Sequence, residues 1–289
     1  MTGMDEKIRL AAKKYLEEEK VFCVIGFEQD KRGKVRPAFV YSADDTDRLL
    51  WNSSCNINLV TYLHNRKLAP GKDQPIPKTA IVVRPCDVRS LNLLISEQQI
   101  RRENVKSIGL ECGGTEIDGT GRMICSFCQE RTPIDYDVLI ESDVPINIPT
   151  ESDMYEDIKD MESWTPEDRL AFWTEEFDRC IRCYACRQAC PGCYCFECVA
   201  EKVDPHWTSI ALDVPEKMFF HVMRAYHLAG RCVGCDACEA ACPMSIPLSK
   251  LNRKVAKEIL DMFGYKTGDE ADEAPLLACF DPNERLWNS

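Results

Sequence analysis

Cys180, Cys183, Cys186 and Cys190 form a C-x2-C-x2-C-x3-C run closed by Pro191, and the same run returns as Cys232, Cys235, Cys238 and Cys242 closed by Pro243. Three thiolates at this spacing wrap one cube of iron and sulfide, while the fourth, beyond a proline-braced turn, reaches the other cube. Crossed ligation therefore assigns Cys180, Cys183, Cys186 and Cys242 to one 4Fe-4S cluster and Cys232, Cys235, Cys238 and Cys190 to a second. Such a pair carries single electrons. Structural zinc normally takes two well-separated knuckles, not four cysteines in one short run repeated. A disulfide framework suits small secreted chains, whereas this one has 289 residues, 45% hydrophobic content and no export signal in Met1-Thr-Gly-Met-Asp5. Free thiols of this kind point to a reducing, cytoplasmic setting. The oxygen sensitivity of exposed clusters points to an anaerobic host.

The remaining cysteines divide. Cys86, Cys112, Cys125 and Cys128 fall at strand ends or turns, two of them as a C-x2-C pair, a pattern that on spacing alone suits either a third cluster or zinc. Cys193, Cys195 and Cys198 crowd into one short stretch whose spacing matches no established single site, so they either bind a further cluster or line the protein around the first. Cys23 and Cys279 read as small buried hydrophobes. Arg84 and Arg89 flank the third set, as compensating charges for a cluster or as ordinary ion-pair arginines. His64, His206, His221 and His227 are scattered, with His221 and His227 expected at the surface or satisfied within the fold. No paired catalytic carboxylates and no Ser/His/Asp set stand out.

The elements that must position these thiols fall into two parts. Asp5 to Glu19 has an apolar stripe at helical period, and Val21–Phe27 and Val35–Tyr41 flank an Asp30–Gly33 turn as a hairpin. Asn56 to Arg66 suits a helix. Thr79–Val83 reads as a buried strand leading through Cys86 to a helix capped by Asp87, and Ser107–Leu110 as a strand leading to Cys112 and Gly113-Gly114. Tyr136–Ile140 is a last strand. The expected fold is thus an α/β domain over 1–149, a helical linker over 150–178, a helical two-cluster ferredoxin-like domain over 179–264 and a C-terminal arm over 265–289, lying over a partner. Between the motifs, Pro215–Ala229 predicts a helix with a stripe of Met218, Phe219, Val222 and Tyr226, and Pro247–Phe263 predicts another with Leu251, Val255, Ile259 and Met262 inward.

Five blocks stand in the order of a known family. They are Arg84-Pro-Cys86-Asp-Val-Arg-Ser-Leu91, Gly109-Leu-Glu-Cys112-Gly-Gly-Thr115, Cys125-Ser-Phe-Cys128, Arg179 through Cys190-Pro, and Cys193-Tyr-Cys195-Phe-Glu-Cys198. Together they resemble the β subunits of deazaflavin-linked formate dehydrogenases and, more weakly, the β subunit of deazaflavin-reducing hydrogenase. The resemblance implies that Cys86, Cys112, Cys125 and Cys128 hold a third 4Fe-4S cluster. It also implies a fourth, held by Cys193, Cys195 and Cys198 with Cys55 as partner. Those relatives bind FAD through a glycine-bearing segment near their start and a long stretch after the C-x2-C pair. Here Met1–Gly33 has no double glycine, the stretch after Cys128 is short and no G-x-G-x-x-G is present, so neither FAD nor a nicotinamide or deazaflavin site is expected.

A formal net charge of -12 opposes binding to phosphate backbones, so nucleic acid is not an expected partner. No run approaches the roughly 18 apolar residues of a membrane span. The sequence therefore predicts an electron-transfer subunit, not catalytic alone, of a formate dehydrogenase, hydrogenase or heterodisulfide reductase type of complex, with other subunits as partners. The alternatives are an FAD-containing β subunit that reduces deazaflavin or NAD, and the iron-sulfur subunit of a sulfite reductase or sulfhydrogenase. Ile181, Val233 and Ile246 are expected to keep water from the clusters.

Overall fold

The computed structural model describes residues 3–64, 77–149, 154–202, 204–209 and 211–276. Cys279 and most of the expected C-terminal arm lie outside them. The first helix, α1 (Gly3–Glu17), turns Ile8, Ala12 and Tyr15 inward, as its 3.6-residue period requires. β1 (Val24–Gln29) and β2 (Val35–Val40) pair antiparallel, with Gly33 in the left-handed region at φ +80° and the Asp30 carboxylate accepting from the amides of Arg32 and Lys34. Then follow β3 (Thr79–Val83), α2 (Pro85–Ser96), β4 (Val105–Leu110), a small hairpin of β5 (Glu116–Ile117) and β6 (Thr120–Gly121), α3 (Met123–Phe127) and β7 (Val138–Ile140).

The main sheet has the order β2-β1-β3-β4-β7, with β1, β3, β4 and β7 parallel. All five residues of β3 are buried, which fits a central parallel strand covered on both faces. Val83 pairs with Gly109, so β3 and β4 end side by side and send Cys86 and Cys112 off the same sheet edge. Open α/β sheets place their sites there, beyond the carboxyl ends of parallel strands.

Two expectations for this part change. The segment expected as a helix over Asn56–Arg66 is a 3-10 turn, Leu59–Leu63, capped by the Asn58 side chain, which accepts from the Val60 amide at 3.1 Å; residues 65 and 66 lie outside the described ones. Asp87 is not an N-cap. α2 starts at Pro85, whose fixed φ and missing N–H suit a first turn, and Asp87 instead accepts from the Arg84 amide at 3.0 Å and pairs with its guanidinium.

The C-terminal part is helical: α4 (Lys159–Ser163), α5 (Pro166–Asp178), α6 (Ala185–Ala189), α7 (Val214–His227), α8 (Ala237–Ala240) and α9 (Leu248–Phe263). Thr165 caps α5 by accepting from the Asp168 amide, with proline at the first helical position. α7 is turned against its pattern. Phe219, Val222 and Tyr226 of the expected stripe are 52%, 38% and 69% exposed, while Lys217, Phe220, His221 and Arg224 are buried. The inward groups reach peptide carbonyls and a thiol: Lys217 Nζ donates to the Asp178 carbonyl at 2.6 Å and Arg224 Nη2 to the Cys186 carbonyl at 3.1 Å. In α9, Met262 is likewise exposed, and the fully inward positions are Leu248, Asn252 and Arg253.

The two parts are joined by polar contacts. Thr61 Oγ1 donates to the Gln188 carbonyl, His64 Nε2 meets the Pro191 carbonyl at 2.8 Å, and Glu97 takes both Arg231 and the Tyr194 hydroxyl. Residues 265–269 return to the sheet: Arg89 donates to the Thr267 carbonyl and Asn92 to that of Gly268. The described start of the arm is thus strapped onto α2. Among the described residues no helix is long and apolar enough to cross a membrane.

Candidate metal centres

The two ferredoxin motifs fold as copies. Each has a left-handed residue before the second cysteine, Arg182 at φ +50° and Gly234 at φ +70°, and another after it, Tyr184 at φ +59° and Asp236 at φ +60°. The latter residues cap the short helices α6 and α8, which bring the third cysteine of each motif round. Cys180, Cys183, Cys186 and the distant Cys242 line one chamber, closed by Phe220, Ile246 and Leu248. Ile246 and Leu248 are buried, whereas Ile181 lines the chamber while 53% exposed. In the second motif, Cys232 and Cys235 lie within electrostatic reach of Cys238, and Cys238 in turn within reach of Cys190.

N–H groups point at several thiols. The Arg182 amide donates to Cys180 Sγ at 3.3 Å and Asn252 Nδ2 to Cys238 Sγ at 3.5 Å. His221 Nε2 lies 3.3 Å from Cys180 Sγ, with its ring stacked on Phe177 at 4.5 Å and its Nδ1 buried without a hydrogen-bond partner among the described residues. Burial pushes the His221 pKa down to about 3, so the ring is neutral, and a tautomer protonated at Nε2 would donate to the Cys180 sulfur. His221 is therefore neither a surface residue nor fully satisfied, contrary to the expectation.

Cys86, Cys112, Cys125 and Cys128 line a second chamber of about 320 Å³. Cys86 sits in the first turn of α2, Cys112 after β4, and Cys125 and Cys128 on α3 and its C-cap. Gly114, at φ +112°, makes the close approach expected of the paired glycines: a Cβ there would meet that of Cys125 at 3.3 Å. The Gly114 amide donates to Cys112 Sγ and the Thr115 amide to Cys125 Sγ, each at 3.4 Å. Arg84, Arg89, Arg122, Arg131, Arg253 and Lys266 also line this chamber, facing Glu130 as its carboxylate. Arg84 is fully buried, pairs with Asp87 at 2.7 Å and donates to the carbonyls of Cys55 and Ile57. It is a clamp between the Cys55 loop and the Cys86 turn, and the i,i+3 spacing of Arg84 and Asp87 was the available signal for it.

The remaining candidate set is held by different neighbours. Cys55 is buried, accepts from the Asn52 amide at 3.4 Å and has its pKa pushed up to about 12 by burial. Cys193 hydrogen-bonds Cys190, which, with nearby Arg224 and Arg187, lowers its pKa. Cys195 is exposed and Cys198 packs beside the Phe177 and Phe220 core. Neither chamber described above takes in any of the four. Arg122, Arg224, Thr115 and Asn252 had no sequence signal.

Each chamber gathers at least four thiols, the donor number of a thiolate-bound cube. Among the described residues, no three His, Cys, Asp or Glu side chains converge enough to hold a single ion, as tetrahedral zinc with Zn–S bonds of about 2.3 Å would require. Burial raises the pKa of Cys86, Cys112, Cys180, Cys186, Cys232, Cys235 and Cys238, so metal loading must displace protons. A ring of permanent cations suits the negative charge of a thiolate-bound cube.

Residues 179–247 match the 4Fe-4S dicluster domain family, which implies at least two 4Fe-4S clusters. Over 292 aligned positions, 68% of this chain and 74% of the relative, the chain is 26% identical to the F420-dependent formate dehydrogenase 1 subunit beta of Methanococcus maripaludis. Over 108 residues it is 36% identical to the F420-dependent formate dehydrogenase subunit beta of Methanocaldococcus jannaschii. The chain resembles these β subunits. The second match spans 37% of this chain and 28% of that relative's length.

Proposed function

We propose that the chain is an iron-sulfur electron-transfer subunit of a formate dehydrogenase complex, passing single electrons between a catalytic subunit and another redox partner. One observation carries this reading: Cys242, from the second motif, lines the same chamber as Cys180, Cys183 and Cys186 of the first, as crossed ligation demands. On this reading Cys180, Cys183, Cys186 and Cys242 hold one 4Fe-4S cluster, Cys232, Cys235, Cys238 and Cys190 a second, and Cys86, Cys112, Cys125 and Cys128 a third. Bound cubes supply one-electron chemistry at potentials set by their surroundings. The chain's own part is to hold the thiolates, exclude water with Ile246 and Leu248, and aim N–H groups from Arg182, His221, Gly114, Thr115 and Asn252 at the sulfurs. Domain boundaries near residues 149, 178 and 264, a cytoplasmic setting and the absence of FAD are parts of the same proposal.

Anaerobic purification of the full chain, with iron and flavin counted, tests it. About twelve irons per chain and no released flavin are expected. About eight would leave only the ferredoxin pair, about sixteen would require the set of Cys55, Cys193, Cys195 and Cys198, and bound FAD would point to the deazaflavin- or NAD-reducing alternative. A colourless reconstituted protein would refute the reading altogether. Co-purification of a formate-oxidising catalytic subunit under anaerobic conditions is the second expected result.

A further inference from the structure

The chamber formed by Cys86, Cys112, Cys125 and Cys128 is not confined to the sheet domain. Its wall includes Cys235 and Gly234 of the second ferredoxin motif, so Cys235 faces the same space as Cys86. One guanidinium spans the join. Arg122 Nη2 donates to the Cys235 carbonyl at 2.7 Å and pairs with the Asp236 carboxylate at 3.1 Å. Nη1 donates to Thr115 Oγ1 at 3.4 Å and to the Asn56 carbonyl at 3.3 Å. Thr115 itself contacts Cys125 Sγ through its amide at 3.4 Å and its hydroxyl at 3.7 Å.

Both ends of this bridge are rigid. The side chains of Arg122 and Asp236 are only 3% and 9% exposed, and Arg122 Nε, buried on the chamber wall, has no hydrogen-bond partner among the described residues. Asp236 stands in the left-handed cap position of α8, directly after Cys235. A surface ion pair would contribute little, but a buried one fixes geometry, because leaving either charge unpaired there is costly.

We propose that Arg122 is a positioning residue that sets the contact between the sheet-domain cluster and the second ferredoxin cluster, making Cys235 the point at which single electrons cross between the two parts of the chain. The inference rests on the cluster assignments proposed above. A crossing here moves one electron from the reduced to the oxidised centre, with no bond formed or broken and no proton transferred. The guanidinium stays charged in both states. It also gives the wire an order: the chamber of Cys180, Cys183, Cys186 and Cys242 is lined by no residue of the sheet domain, and Cys183 there is exposed.

The test uses the anaerobically loaded full chain and its variants Arg122→Gln, Arg122→Lys and Asp236→Asn, with iron counted on each. Reduced wild-type protein is expected to show an EPR spectrum broadened by interaction between the two centres. Arg122→Gln, with unchanged iron, should lose that broadening, and in freeze-quench experiments the sheet-domain signal should appear about tenfold more slowly, as for a barrier raised by about 1.4 kcal/mol. Arg122→Lys, keeping the charge but a single donor head, should restore part of both. Should Arg122→Gln fail to load, Asp236→Asn decides: it removes the ion pair, leaves the bond to the Cys235 carbonyl, and should weaken the broadening. Unchanged broadening and rate in the loaded variants overturn the bridge. If Cys128→Ser has the same iron content as wild type, the third cluster itself is absent, and that reading fails with the bridge.

Discussion

Replacing Arg224 by methionine should lower the reduction potentials of both ferredoxin clusters together. Arg224 lies buried on α7, donates to the Cys186 carbonyl, and has the thiols of Cys193, Cys190, Cys238 and Cys186 as its charged neighbours, so it faces ligands from both proposed cages. Reduction adds a negative charge to a site already negative, and a fixed positive charge stabilises the reduced form more than the oxidised one. At an effective dielectric constant of about 20 and a separation of about 8 Å, that preference is ~2 kcal/mol. For a one-electron couple this corresponds to a fall of ~90 mV in each midpoint potential. Methionine keeps the length and apolar volume of the side chain but leaves the Cys186 carbonyl without its donor, at a further stability cost of ~1–3 kcal/mol. The assay is an EPR-monitored redox titration of the loaded protein, with Arg224→Lys as the charge-retaining control and an expected shift below ~30 mV. Two potentials that stay within ~20 mV of wild type at full iron content would refute the reasoning.

Other outcomes follow from the same geometry. Cys183→Ser should abolish one reduced 4Fe-4S signal and remove about four irons while circular dichroism shows the sheet domain still folded. Persistence of every signal would refute the assignment of Cys183. His221→Phe keeps the stack on Phe177 but loses the donor to Cys180 Sγ, so only the cluster at Cys180 should fall in potential, by ~40 mV for a bond worth about 1 kcal/mol. Gly268→Ala should destabilise the chain by roughly 1–2 kcal/mol in urea unfolding, because φ is +77° there and a Cβ would strike the Arg89 carbonyl. Cys23→Ala should leave the iron content unchanged, since Cys23 is buried in the sheet core with its pKa pushed up to about 11 by burial.

What could be read from the sequence was what is decided locally. The ferredoxin spacing is such a feature, because each cage is built from a few consecutive turns. The strand-to-cysteine steps at Val83 and Leu110 are another, because a buried parallel strand must end in a turn at the sheet edge. The orientation of α7 was not legible. Helical periodicity finds two faces, and the usual rule sends the apolar one inward. Here the interior beside α7 holds thiols and peptide carbonyls that accept from side chains, so Lys217, His221 and Arg224 turn in and Phe219, Val222 and Tyr226 turn out. Arg122 was equally silent, since its partners Cys235 and Asp236 come from a segment far along the chain. Cys55 was named for its place in a loop, and its neighbours, Arg84 and Asn52, depend on how that loop packs on the Cys86 turn.

The matched left-handed dihedrals of the two cysteine runs speak to ancestry. Arg182 and Tyr184 in one run turn the same way as Gly234 and Asp236 in the other, although the side chains have nothing in common. A doubling event that copied a peptide and then let its residues drift would leave this trace, because the winding of the backbone is what closes each cage. The two hendecapeptides should accordingly be interchangeable in engineered chimaeras, with Arg122 and His221 keeping partners only where the transplanted run supplies them.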